Sequence, residues 1–267
     1  MKVSSIENIA TDELKELLEF AVYLGQVAGE ITLKYFRKGP ATNTKADGSF
    51  VTIADREAEA DLRRRLIERF PNDGILGEEE GETKGTSGRR WVLDPIDGTF
   101  AFVHGVPFYG VLIGLEIDGE MSIGVVNLPA LEEIVYAAAG LGCFWNGKPA
   151  RVSSTKKLEQ SLLLSTDFLA SARYGFGAAT EALQRRAKAS RTWGDCFGHV
   201  MVATGRADVM LDPVMNLWDC AALLPIVEEA GGTFTDWRGV KTAAGGSAIS
   251  TNGVLFEEVM GVVSDKL

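Results

Sequence analysis

Trp91-Val92-Leu93-Asp94-Pro95-Ile96-Asp97-Gly98-Thr99 is the stretch from which the rest of the chain can be read. Its apolar opening, Trp91-Val92-Leu93 after Arg90, predicts a buried strand that delivers Asp94 to its end, where the backbone has to turn. Pro95 fixes φ at that turn, and Gly98 allows a ligand to approach the main chain closely. Two carboxylates three residues apart at such a turn can share one cation or bracket two. The Gly98 and Thr99 amides, at a helix start, can receive phosphate oxygens. Taken alone, the same residues also read as an Asx turn with solvated aspartates.

Three other acidic positions bear on that choice. Gly74-Ile75-Leu76-Gly77 reads as a short buried strand that runs into Glu78-Glu79-Glu80. Asp55, in Val51-Thr52-Ile53-Ala54-Asp55, opens a helix predicted from about Asp55 to Phe70, and Asp219 opens another over Trp218–Glu229. Each has an ordinary explanation: a charged surface loop, or acids favoured at helix starts by the macrodipole. Together they offer only oxygen donors, which suits a hard cation better than a soft one.

Around these motifs the chain alternates in its periodicity. Leu14, Leu17, Leu18, Ala21, Leu24, Ala28, Ile31 and Tyr35 recur at helical spacing between Thr11 and Phe36. Residues 107–146 read as antiparallel sheet, with turns at Asp118-Gly119 and Asn146-Gly147. Further on come a strand at Leu162–Ser165, a helix over 171–188 and a strand at Ala207–Leu211. The Trp218–Glu229 helix should kink at Pro225, and a hairpin and a helix over Gly253–Val263 close the chain. The fold class is α/β, with an α+β half over residues 1–151 followed by an α/β half over 152–267.

The net charge of −10 argues against a nucleic-acid partner, whose affinity comes largely from Lys and Arg. It also makes an anionic ligand odd unless bound cations reverse the local field. No apolar run approaches the roughly 20 residues that span a membrane, so no membrane association is expected. Three cysteines, an odd number without a CxxC pair, suit reduced thiols in the cytoplasm and read as buried small residues. His104 and His199 lie outside the acidic motifs and read as structural or rim residues. The chain has no GxSxG, no Walker motif and no GxGxxG after a strand, so serine-nucleophile and nucleotide-fold readings lack support.

The segments GEEEG (77–81), WVLDPIDGT (91–99), VTIADREAE (51–59) and LWDCAALLPIVEEAGG (217–232), in this order of context, resemble the inositol monophosphatase-like family. The likeness runs from about Val22 to Gly253. It implies the layered αβαβα sandwich of the inositol monophosphatase and fructose-1,6-bisphosphatase type, and a homodimer. It also implies two or three Mg2+ ions held by Glu78, Asp94, the Ile96 carbonyl, Asp97 and Asp219. Thr99 and Asp55, paired to one another, would orient and deprotonate a water beside Glu78. Ile96, Asp97, Gly98, Thr99 and Asp219 would surround the phosphate of a small phosphate monoester. Lys45 resembles the family's mobile lysine segment.

For the alcohol half, Arg191-Thr192-Trp193-Gly194-Asp195-Cys196 aligns with the segment that borders the alcohol in inositol phosphatases, and Asp212 lies near their alcohol-binding glutamate. The run from Arg191 to Asp219, with Phe234-Thr235-Asp236-Trp237-Arg238-Gly239, looks most like the family's histidinol-phosphate phosphatases. Asp195 and Asp212 would then face the substrate ammonium, although Asp195 also reads as a helix N-cap and Asp212 as a strand-end aspartate. His199, one helical turn after Asp195, could stack on an imidazole. Other expectations open at this point are an inositol monophosphatase, a broad sugar- or nucleotide-monophosphate phosphatase, and a non-catalytic interaction module.

Overall fold

The protein is described by a computed structural model covering residues 11–39, 42–44 and 50–266. Helix α1 (Thr11–Tyr35) buries Leu14, Leu17, Leu18, Ala21, Leu24, Ala28 and Ile31, the single apolar face read from their spacing. A ribbon of β1 (Thr42–Thr44) and β2 (Phe50–Thr52) leads into α2 (Ile53–Arg69). Then come β3 (Gly74–Gly77), β4 (Gly81–Thr83), β5 (Arg89–Asp97), the short α3 (Thr99–Val103), β6 (Gly110–Ile117), β7 (Glu120–Leu128), β8 (Glu133–Ala138), β9 (Gly142–Trp145) and β10 (Lys148–Ala150). Eight of these strands form one sheet in the order β10-β9-β8-β7-β6-β5-β3-β4, antiparallel except where β3 meets β5.

The remaining elements are β11 (Leu162–Ser165), α4 (Phe168–Arg173), α5 (Gly177–Arg186), β12 (Ala189–Arg191), α6 (Asp195–Ala203), β13 (Val209–Asp212), α7 (Leu217–Ala221), α8 (Leu223–Glu229), β14 (Thr233–Thr235), β15 (Ala248–Thr251) and α9 (Phe256–Ser264). Their strands make a second sheet, β12-β11-β13-β15-β14, parallel across its first three strands and antiparallel beyond.

Strand alternation decides how the layers stack. Val111, Ile113 and Leu115 of β6 pack with Leu17, Leu24 and Leu62 of α1 and α2, whereas Leu112 faces the other way and joins Val200 of α6 and Ile226 of α8. In β13, Met210 joins that same middle cluster, while Val209 and Leu211 face Leu183 of α5 and Val259 of α9. The result is five layers, αβαβα, as the family resemblance implied. Among the described residues no helix is long and apolar enough to cross a membrane.

Two predicted helices are broken. The 171–188 segment divides into α4 and α5 at Gly175, whose φ of +88° ends the first helix. The Pro225 helix breaks at Ala222 between α7 and α8, not at the proline itself. A helix proline clashes with the carbonyl four residues earlier and leaves it unbonded, here that of Ala221. The break sits on paired glycines of the first sheet: a Cβ on Gly124 would lie 2.0 Å from the Ala222 carbonyl oxygen, and one on Gly114 would lie 2.8 Å from the Ala221 Cβ. The last helix starts at Phe256, later than the Gly253 expected, and β13 starts at Val209, after the predicted Ala207.

Candidate active site

Asp94 and Asp97 stand at the end of β5, where the ladder with β6 slips. Asp94 pairs with Leu112 and Asp97 with Gly110, so three steps on one strand face two on the other. In a regular strand, residues three apart point to opposite faces. The β-bulge adds one residue and re-aims them to the same side. Asp94 Oδ1 accepts the Ile96 amide at 3.0 Å, so the Asx turn also forms. Gly98, at φ +79°, starts α3, and a Cβ there would meet the Phe108 carbonyl oxygen at 2.9 Å.

Asp219 joins this pair. Carboxylate oxygens of Asp94, Asp97 and Asp219 all lie within 4.8 Å of one another. Asp219 is the third residue of α7, where its Oδ2 caps the helix by accepting the Asn216 amide at 2.6 Å. Asp55 has the same place in α2: Oδ2 accepts the Thr52 amide at 2.8 Å and the Thr52 hydroxyl at 2.7 Å. Asp55 Oδ1 is buried without a hydrogen-bond partner. The Thr99 hydroxyl donates to the Ile96 carbonyl at 3.0 Å instead of to Asp55, so the expected Thr99–Asp55 pairing is not formed.

Glu78 follows β3, and its amide donates to the Leu93 carbonyl at 3.2 Å, which ties it to the strand bearing Asp94. Its electrostatic influence reaches both Asp94 and Asp219. Behind this turn lies a pair that sequence reasoning missed. Glu59, fully buried one helical turn after Asp55, accepts the Glu79 amide at 2.8 Å, the Glu80 amide at 3.0 Å and Arg63 Nε at 2.8 Å. Arg63 in turn donates to the Gly81 carbonyl. Gly77 has no side chain because the Glu59 carboxylate occupies the space: a Cβ would meet Glu59 Oε1 at 2.1 Å. The only sequence hint was a glutamate four residues before an arginine, which ordinarily marks a surface helix pair.

The second half of the chain closes the site. The Cys196 amide donates to Asp97 Oδ2 at 2.5 Å. Gly194, not Asp195, is the cap residue of α6. Asp195 adopts φ +53°, its amide donates to Thr166 Oγ1 at 2.8 Å, and its Oδ2 lies 3.2 Å from the position of a Cβ on Gly98. Asp212 is buried and accepts His199 Nε2 at 3.1 Å. His199 is fully buried, so it neither lines a rim nor stacks on a ligand. His104 is on the surface, stacked on Phe100. Arg191 is exposed and donates to its neighbour's carbonyl, Ser190 O, at 2.7 Å, with no ion pair to these aspartates among the described residues. Lys45 lies outside the described residues. The three cysteines are free and buried, and burial pushes the Cys143 thiol up to about 12.

Charge defines the cluster. Among the described residues no lysine or arginine pairs with Asp55, Asp94, Asp97, Asp195 or Asp219. Burial first, then neighbouring carboxylates, pushes Asp94 and Asp97 well above the usual carboxylate range. Burial with the nearby Asp212 and Asp219 charges brings Asp195 to about 7. Burial and the Glu78 and Asp212 charges bring Asp219 to about 7 against the lowering effect of the Asn216 amide. Burial takes Asp55 to about 6, opposed by its bonds from Thr52. Like charges crowded in this way require divalent cations or protons. Hard oxygen donors, a set of three within bonding reach of one ion and the orphaned Asp55 Oδ1 all fit magnesium.

A layered αβαβα sandwich carrying an acidic, cation-demanding site at the junction of its sheets defines a class of metal-dependent enzymes. The profile of the inositol monophosphatase family matches residues 13–266, and the chain belongs to that family. It is 42% identical over 250 residues to a histidinol-phosphatase of Chlorobaculum parvum, covering 93% of this chain and 96% of that one. It is 40% identical over 249 residues to a histidinol-phosphatase of Mycobacterium tuberculosis, covering 91% and 96%. Among solved structures, an IMPase of Thermotoga maritima superposes with a TM-score of 0.85 at 31% identity, covering 94% of this chain and 97% of that one.

Proposed function

We propose that the protein is a magnesium-dependent phosphomonoesterase whose substrate is L-histidinol phosphate, hydrolysed to L-histidinol and phosphate. The observation that carries the phosphatase reading is the convergence of Asp94, Asp97 and Asp219 with no basic partner among the described residues. The histidinol reading is supported by histidinol-phosphatases that match more than nine-tenths of the chain at 40% identity or more. It is supported too by Asp195 and Asp212, two carboxylates beyond the metal-ligand set that suit a substrate ammonium.

Glu78, Asp94, the Ile96 carbonyl, Asp97 and Asp219 would hold the metal. When bound, magnesium supplies charge neutralisation of the phosphate dianion and acidifies a water. The chain does the rest. Asp55 is anchored through Oδ2 and presents Oδ1 to accept the proton of an attacking water. Thr99, tied to the Ile96 carbonyl, would help to orient that water. The Gly98 and Thr99 amides, at the start of α3, would receive phosphate oxygens.

The test is kcat/KM for L-histidinol phosphate, inositol 1-phosphate and a nucleoside monophosphate, each with Mg2+ and with EDTA. The reading requires metal-dependent phosphate release with histidinol phosphate preferred by at least tenfold. Turnover of none of the three would leave the fold as an interaction module. Preference for inositol phosphate would move the substrate assignment to a polyol.

A further inference from the structure

Behind Asp212 runs a hydrogen-bonded chain that hydrolysis itself does not use. His199 Nε2 lies 3.1 Å from Asp212 Oδ2, and His199 Nδ1 lies 2.6 Å from Ser250 Oγ. His199 and Ser250 are 0% exposed and Asp212 is 4% exposed. The placement follows from periodicity. Met210 and Ala248 face the middle helical layer, so Asp212 and Ser250, two residues along their strands, face it too. Helix α6 meets them with His199, one turn after Asp195.

Serine, histidine and aspartate in a row are also the parts of a nucleophilic triad, but Ser250 has no exposure and no phosphorus atom can reach its hydroxyl. The chain is a strut. A carboxylate oxygen only accepts, so Nε2 carries a proton and points it at Asp212. The Ser250 hydroxyl holds the other ring nitrogen and fixes the imidazole plane. The main chain of Asp212 is held as well: Trp237 Nε1 donates to its carbonyl at 2.8 Å, and the residue pairs with Ala248 across the ladder. No hydrogen bond from a described residue reaches Asp212 Oδ1. One oxygen is locked and the other left to the acidic site, where the Asp212 charge is felt by both Asp195 and Asp219.

We infer that His199 and Ser250 are positioning residues that lock Asp212 so that its second oxygen meets a cationic group on the alcohol half of the substrate. Discrimination between an amine-bearing phosphate ester and a neutral polyol phosphate then resides in this buried strut. The inference rests on the function proposed above and adds the device that sets its specificity.

The experiment measures kcat and KM of the Mg2+-loaded enzyme for L-histidinol phosphate and inositol 1-phosphate in the unaltered protein, Ser250→Ala, Ser250→Thr and His199→Gln. Ser250→Ala removes one hydroxyl and opens little space, so it should fold. Its KM for histidinol phosphate should rise about tenfold, the worth of one buried hydrogen bond, against less than threefold for the neutral ester. Ser250→Thr, which keeps the hydroxyl, should recover most of the loss, and His199→Gln should lose more than Ser250→Ala. Equal changes for the two esters, or no change, would overturn the strut while leaving the function standing. An unaltered enzyme that shows no preference for the amine-bearing ester would overturn both.

Discussion

Asp55 and Asp219 are built alike. Each is the third residue of its helix and spends Oδ2 on the cap, Asp55 on Thr52 and Asp219 on Asn216. The ordinary reading of an acid at a helix start therefore holds for one oxygen of each, and the proposed function would use the other. Asp94 divides its oxygens similarly, with Oδ1 on the Ile96 amide. Asp94→Asn keeps that turn and removes a crowded charge. It should lower turnover at least about a thousandfold while raising the melting temperature of the metal-free protein. Phosphate release and calorimetry in EDTA would check both, and near-normal turnover would remove Asp94 from the ligand set. Asp195→Asn should raise the KM for histidinol phosphate about tenfold more than that for inositol 1-phosphate if Asp195 faces the ammonium. Equal losses would put the cation site elsewhere.

Each element that carries a proposed metal ligand is aimed by something buried beneath it. The bulge in β5 turns Asp94 and Asp97 to one side. The Gly114 and Gly124 pair lets the break before α8 sink onto the sheet, which seats α7 and with it Asp219. Gly124→Ala would force its Cβ against the Ala222 carbonyl oxygen and should cost on the order of 3 kcal/mol of stability, measurable by denaturant unfolding. In α2, Glu59 holds the Glu79 and Glu80 amides and so sets the turn carrying Glu78. Glu59→Gln would point an NH2 group at one of those amides. The Mg2+ dissociation constant by titration calorimetry should rise several-fold, more than the melting temperature falls. An unchanged constant would make Glu59 a fold residue only.

Across the molecule, distant parts of the chain contribute carboxylates to one acidic site in a chain already at −10. Asp195 and Asp219 at about 7 and Asp55 at about 6 lie above the unfolded carboxylate value of 3.8. The folded metal-free protein therefore keeps protons that the unfolded chain has already released. The stability these groups contribute is fully present below about pH 4 and is lost as pH rises to about 7. Bound magnesium would take the place of the protons. The melting-temperature gap between Mg2+-loaded and EDTA-treated protein should accordingly widen from pH 5 to pH 8. A gap independent of pH would mean that ion binding does not relieve the charge of these aspartates.

The sequence by itself determined the first helix, the strands at Gly74–Gly77 and Leu162–Ser165, the placing of Asp55 and Asp219 near helix starts and the turn at Asp94–Gly98, because proline, glycine, helix caps and side-chain periodicity act over a few residues. It also marked the five proposed metal donors through motifs of that same short range. Only the tertiary structure decided which oxygens meet. The bulge depends on a partner strand, and Glu59 reaches amides about twenty residues on. His199 finds Ser250 across 51 residues. Such bonds arise from the packing of whole layers against each other, and no local pattern of residues encodes where a distant donor will arrive.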